Sequence, residues 1–375
     1  MLIIQLEVVM LKRFSVNNFK NFYDTCVFDF SKTNDYSFNK GLIKSNLVNK
    51  ALIYGYNGSG KSNLGFALMD INNHLTDKTK RMDHYLHYLN GDNISTEAKF
   101  SYLFLMENGD EVEYNYSKNA GMELLFEEVK VNGKTMFQFN YSNDKLINNF
   151  AETQNIAFKN RQGRLSALKF MRNNSDLKKD HPIEYIVSFA ENMLWFRSVR
   201  ENEFMGKLEN GENIASFIVN NGLIDDFQKF LFDCGLTYKL FAGIDTFGNP
   251  IIFIDYNNEK IEFFSSISTG TGSLTLFYYW IKKCEKNLKF LYLDEFDSFY
   301  HYKLSKKILN FINSKSNFQS VLTTHNPFLA DNSIMRPDCY FILNDGKIDS
   351  FSNKSKKIIR EANSLENMLL SNMFD

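Results

Sequence analysis

The octapeptide Gly55-Tyr-Asn-Gly-Ser-Gly60-Lys61-Ser62 has the spacing GxxxxGK[ST], and it constrains the fold more tightly than any other stretch of the chain. The apolar run Ala51-Leu-Ile-Tyr54 leads into it and predicts a buried strand, while Asn63 to Asp70 predict the helix that leaves it. Strand, glycine turn and helix in this order make a phosphate cradle. Gly55, Gly58 and Gly60 let the backbone curl until its N–H groups and the helix N-terminus face an anion. Lys61 adds a point charge and the Ser62 hydroxyl a ligand for Mg²⁺, and Tyr56, Asn57, Ser59 and Asn63 are expected to border the same phosphates.

Two further strand ends carry chemistry. Lys289-Phe-Leu-Tyr-Leu293 is an apolar run that ends on Asp294 and Glu295. Behind a phosphate loop, Asp294 is placed to hold Mg²⁺, and Glu295, pointing differently, is the candidate base for an attacking water. Taken alone, such an acidic pair would equally cap the next helix. Ser320-Val-Leu-Thr-Thr324 runs into His325, Asn326 and Pro327; an imidazole there can donate to a phosphate oxygen or orient the water, and Pro327 stops the strand. A surface histidine in a turn is the plainer reading of that residue by itself.

The 375 residues are enough for two or three domains, yet four prolines and no Gly/Ser-rich linker leave no clean boundary. We expect an N-terminal lobe over 1–140, a helical insertion over 141–235 and a C-terminal lobe over 236–375. Alternating segments from Lys99 to Asn140, punctuated by Asn108-Gly109 and Asn132-Gly133, predict an antiparallel sheet. Helical periodicity marks Ile183 to Trp195 and Ile214 to Phe232 without a sustained heptad, and after residue 236 strands and helices alternate as in a parallel sheet with covering helices. Cys26, Cys234, Cys284 and Cys339 are too scattered for a CxxC site and fit a reduced, cytoplasmic setting. The apolar opening before Met10 is too short to span a bilayer and lacks the features of a secretion signal, and Met10 itself is a candidate start.

With Ile267-Ser268-Thr269-Gly270-Thr271 added, these elements in this order resemble the ABC-type ATPase superfamily. The likeness is strongest to the ABC-like AAA ATPases of abortive-infection and phage-defence systems, related to the ATPase domains of overcoming-lysogenization-defect nucleases and to SMC-like proteins. Leu11-Lys-Arg-Phe-Ser-Val-Asn-Asn-Phe19-Lys-Asn-Phe22 and Asp294-Glu-Phe-Asp297-Ser-Phe-Tyr-His301 agree with that branch. The resemblance implies an α/β fold: an ABC-type P-loop head with an N-terminal antiparallel β subdomain, a parallel core sheet with flanking helices, and a helical insertion without a long coiled coil. It implies ATP and Mg²⁺ as ligands, with Lys61, Glu295 and His325 as catalytic groups and Ser62 and Asp294 on the metal. It further implies a head-to-tail homodimer or higher oligomer, in which Ser268, Thr269 and Gly270 close the partner's ATP site and Asp297 lies on the D-loop at the interface.

The chain departs from the pattern at Thr269, where the signature has a smaller residue in many members, and a Mg²⁺-sensing glutamine has only Gln138 and Gln154 as nearby choices. The related nucleases carry a TOPRIM-type domain that has no counterpart after the His325 strand, so a separate effector or toxin protein is the expected partner. Lys159, Arg161, Arg164, Lys169 and Arg172, followed by Lys178, Lys179, Arg197 and Arg200, could hold nucleic acid or an acidic partner, or form a solvated face. The near-neutral balance of 43 basic and 44 acidic side chains leaves that question to local patches. A conformational switch in anti-phage defence is the expected function. A DNA-repair or chromosome-maintenance clamp is the alternative, and the motor subunit of a membrane transporter fits less well.

Overall fold

Lys50–Tyr54, Phe290–Asp294 and Gln319–Thr323 are buried at every residue, as strands covered on both faces must be. They lie parallel at the heart of one sheet. The computed structural model describes residues 10–78, 82–156, 165–197, 203–206, 213–257 and 259–374. Among these, the core sheet has seven strands in the order Glu203–Met205, Met193–Arg197, Phe290–Asp294, Gln319–Thr323, Lys50–Tyr54, Tyr340–Asn344 and Lys347–Ser350. The five inner strands run parallel and the two edges antiparallel.

A second seven-stranded sheet is wholly antiparallel, in the order Lys145–Asn148, Lys134–Asn140, Leu124–Val131, Glu111–Lys118, Ala98–Leu105, Met10–Asn17 and Cys26–Asp29. Its strands alternate as a half-solvated sheet should, Glu111–Lys118 burying every second residue over most of its length. Asn132 and Gly133 both adopt positive φ, 49° and 78°, in the tight turn that joins two of its strands. The Gln319 side chain bridges the sheets, bonding the N–H and carbonyl of Leu11 at 3.0 and 3.1 Å.

The helix Lys61–Met69 lies between the two sheets. From Leu64 to Met69 every residue is buried, consistent with a helix that is apolar all round rather than striped. Tyr102 of the antiparallel sheet donates to the carbonyls of Ala67 and Leu68 on one side. On the other side Gly65 faces Tyr292 and Trp195 of the core sheet.

The core sheet takes strands from all three of the segments 1–140, 141–235 and 236–375. The stretch 141–235 does contain the helices Ala167–Asn173, Pro182–Glu191, Ile214–Asn220 and Ile224–Asp233. It also supplies Met193–Arg197 to the core sheet, where helical periodicity had extended to Trp195. The helix ends at Asn192, and Met193 to Phe196 are consecutive buried residues without a polar face, the mark of an interior strand. Among the described residues no helix exceeds the 16 residues of Thr269–Cys284, and none is long and apolar enough to cross a membrane.

Candidate phosphate and metal site

The parallel strands of the core sheet deliver their C-terminal ends to one place. Lys50–Tyr54 opens into the glycine loop, Phe290–Asp294 ends on the acidic pair, and Gln319–Thr323 is followed by Thr324 and His325. Ligands of open parallel sheets bind at such an edge.

Gly60 initiates the loop's helix at φ 101°, and a side chain there would meet the Asn21 amide at 2.2 Å. Asn21 is held by a turn in which Phe19 and Phe22 pair and are fully buried, leaving the amide to donate to the Ser59 carbonyl at 3.2 Å and accept from Asn63 Nδ2 at 2.8 Å. Asn21 is thus a part of the cradle that the motif alone did not single out, although it lies in the Asn-Phe-Lys-Asn-Phe segment. Tyr56, Asn57 and Gly58 form the exposed rim of the loop. Lys61 Nζ is folded back onto the loop, donating to the carbonyls of Gly55 at 2.8 Å and Tyr56 at 3.2 Å. Burial brings its ammonium down to about 8, against the opposing pull of Asp294 and Glu295.

Ser62 Oγ donates to Asp294 Oδ2 at 2.6 Å, so the two expected metal ligands already converge. Asp294 is fully buried. Burial pushes its carboxyl up, while hydrogen bonds from Ser62 and Thr323 and the charge of Arg197 oppose that rise. The donors suit Mg²⁺, a hard cation that is held by few protein oxygens and takes the rest from water and phosphate. Among the described residues no three His, Cys, Asp or Glu side chains gather to form a self-sufficient metal cage. The Ser59 hydroxyl is buried inside the loop against Gly55, without a hydrogen-bond partner.

Glu295 follows at φ 47°, a left-handed backbone that a glutamate adopts only under constraint, and its N–H donates to Thr323 Oγ1 at 2.7 Å. Asp297 accepts from Thr324 Oγ1 at 2.8 Å, and burial raises its carboxyl. His325 is solvent-exposed at the end of its strand. Partial burial and the Lys61 charge lower its imidazole, against Asp294. Gly55, Tyr56, Asn57 and His325 share a cavity of about 340 Å³ with Leu369 and Asn372 of the C-terminal segment. A larger hollow of 820 Å³ on the antiparallel sheet contains Glu97 and Lys99, which pair with each other at 3.1 Å.

Ser268 caps the helix Thr269–Cys284, accepting from Thr271 N at 3.2 Å. Ser268 and Thr269 are exposed and Gly270 half-buried, so this helix start faces outward. Ser273, one turn on, bonds Tyr300 just beyond Asp297 at 2.8 Å, which joins this helix to the chain after the acidic pair. Gln138 and Gln154 lie on or beside the edge of the antiparallel sheet, away from the core strands. Of the basic cluster, Lys159, Arg161, Arg164 and Arg200 fall outside the described residues. Lys169 pairs with Asp77 at 2.6 Å, and Arg172 with Glu184 at 2.9 Å and Glu191 at 3.1 Å. Arg197 leaves the cluster altogether and faces Asp294.

A family profile described as "AAA domain, putative AbiEii toxin, Type IV TA system" matches residues 50–331, most of the chain, from the strand before the glycine loop to beyond His325. The chain belongs to this AAA-domain family. No curated protein matches it. Among solved structures, this AAA-family chain is similar to an Smc head bound to the C-terminal winged-helix domain of ScpA, at 15% identity and TM-score 0.50, covering 91% of this chain and 96% of that one. An Smc head with an extended coiled coil, bound to a ScpA domain from Pyrococcus furiosus, gives 12% and 0.51 with the same coverage. One from Pyrococcus yayanosii gives 11% and 0.50, covering 97% and 99%. At such identities the likeness is one of fold, and the fold is that of ABC-type ATPase heads.

Proposed function

We propose that this AAA-family chain binds ATP with Mg²⁺ between two head-to-tail copies and hydrolyses it to switch conformation rather than to modify a further substrate. The observation that carries the reading is the meeting of Ser62 and Asp294 at 2.6 Å, beside Lys61, Glu295 and His325 on one sheet edge. Lys61 exchanges its loop carbonyls for phosphate oxygens. Glu295 takes the proton of the attacking water, and His325 orients that water or donates to a terminal phosphate oxygen. Bound Mg²⁺ would neutralise charge on the phosphates, held by Ser62 and Asp294. Ser268 and Gly270, outward-facing at a helix start, suit a phosphate on a second copy. In this reading 1–140 and 236–375 are the two ATPase lobes, and 141–235 is a helical insertion that also lends the strand Met193–Arg197 to the core sheet.

The biological setting we propose is bacterial anti-phage defence through a separate effector protein, supported by the toxin–antitoxin wording of the family description. A nucleic-acid clamp has less support, since Lys169 and Arg172 are already engaged by carboxylates. The test is light scattering on Glu295→Gln with and without ATP–Mg²⁺. We expect an ATP-driven doubling of mass that Ser268→Arg abolishes; a mass that ATP leaves unchanged in a monomer would reject the head-to-tail site. For the setting, cells carrying the locus should lose phage protection with Lys61→Ala.

A further inference from the structure

Arg197 ends the strand Met193–Arg197 and pairs in register with Asp294, the last residue of the neighbouring strand. Its guanidinium lies 3.6 Å from Asp294 Oδ2, the same oxygen that accepts from Ser62. The carboxylate is wholly buried, whereas the Arg197 side chain is 26% exposed and so has solvent to move into. We propose that Arg197 is a resident counter-ion of Asp294 that incoming Mg²⁺–nucleotide displaces, so that this side chain sets the magnesium concentration at which the site fills. The inference rests on the reading that Asp294 holds Mg²⁺.

The argument is one of charge at a single oxygen. A buried carboxylate without a counter-charge is costly, and Arg197 is the cation that the described residues bring within 4 Å of Oδ2. A divalent cation at Ser62 and Asp294 then takes over that neutralisation, and two cations on one oxygen repel each other. The guanidinium withdraws toward its exposed side. Arg197 is therefore a positioning residue: it keeps the empty site folded and makes metal binding a competition.

The test follows binding of a fluorescent methylanthraniloyl ATP analogue to the Glu295→Gln parent during a MgCl₂ titration, with no turnover to confuse it. Removing the competitor in Arg197→Gln should lower the half-saturating Mg²⁺ concentration by about fivefold or more, because an opposing charge has gone. Arg197→Met, which keeps the apolar stem, should shift it the same way, and Arg197→Lys should stay near the parent. The empty Arg197→Gln protein should also melt earlier without Mg²⁺ and regain its melting temperature with Mg²⁺–ATP. An unchanged or higher magnesium midpoint in both Arg197→Gln and Arg197→Met overturns the proposal. A parent that binds the analogue with no need of Mg²⁺ removes the metal reading of Asp294, and this inference with it.

Discussion

Thr323 Oγ1 donates to Asp294 Oδ1 at 2.8 Å, joining the final residues of two adjacent parallel strands. The same hydroxyl oxygen accepts the Glu295 N–H at 2.7 Å, so one threonine fixes the candidate metal ligand and the candidate base together. Thr323→Val keeps the shape and loses both bonds. We expect ATP turnover to fall about 10–100-fold, the usual cost of removing a partner that orients a metal ligand. Steady-state hydrolysis with a magnesium titration measures it, and full activity in Thr323→Val would show that strand packing alone holds both carboxylates.

Glu295 carries a left-handed backbone at φ 47°, which costs a residue with a side chain but costs glycine little. Glu295→Gly should therefore abolish hydrolysis while raising stability by about 1 kcal/mol, the low end of such strain. Glu295→Gln should abolish hydrolysis without the gain, since the backbone stays strained. Urea unfolding of the three proteins separates the outcomes; equal midpoints would mean that the local hydrogen bonds compensate the strain.

Lys61 titrates near 8 because burial disfavours its charge. A group of this kind binds phosphate only while protonated, so affinity for an ATP analogue should be flat below about pH 7 and then fall by up to tenfold per pH unit above 8. The sign follows from the cation being the binding form, and Lys61→Arg, charged throughout, should flatten the curve. Anion-bound lysine titrates higher, so the decline begins near the value of the free protein and levels off once the bound lysine also loses its proton.

That Lys61, Ser62, Asp294 and His325 would gather at strand ends was legible in the sequence, because each sits in or beside a short run next to an apolar segment. Lys61, Ser62, Asp294 and His325 each follow an apolar segment whose burial the structure reproduces. Arg197 was not legible as part of it. The apolar residues before it continued a helical pattern, and only the end of the helix at Asn192 turns Met193–Arg197 into a strand beside Asp294. Thr323 was hidden for another reason: a threonine in an apolar strand is an ordinary residue, and its role depends on strand register, which a single sequence does not specify. The positive φ at Glu295 left no trace in composition either.

Asp70 caps the C-terminal end of the phosphate helix, and its buried carboxylate receives Lys118 Nζ at 2.5 Å, Tyr116 OH at 3.0 Å and Tyr88 OH at 3.0 Å. Lys118 belongs to the antiparallel sheet, so this cluster ties that sheet to the helix whose first residue is Lys61. Both charged side chains are at most 1% exposed. Removing one partner strands the other without solvent: Lys118→Met or Asp70→Asn should each cost about 3–5 kcal/mol. The double variant Asp70→Asn/Lys118→Met should recover most of that loss, because no unpaired charge is left inside. Denaturant unfolding of the four proteins gives the coupling, and additive single effects would show that packing rather than charge dominates. The cradle lies at the opposite end of a nine-residue helix, roughly 13 Å away. Variants that remain folded should therefore bind ATP with nearly parental affinity, whereas a parallel loss of affinity and stability would mean that the antiparallel sheet sets the position of Lys61 through the helix as a rigid rod.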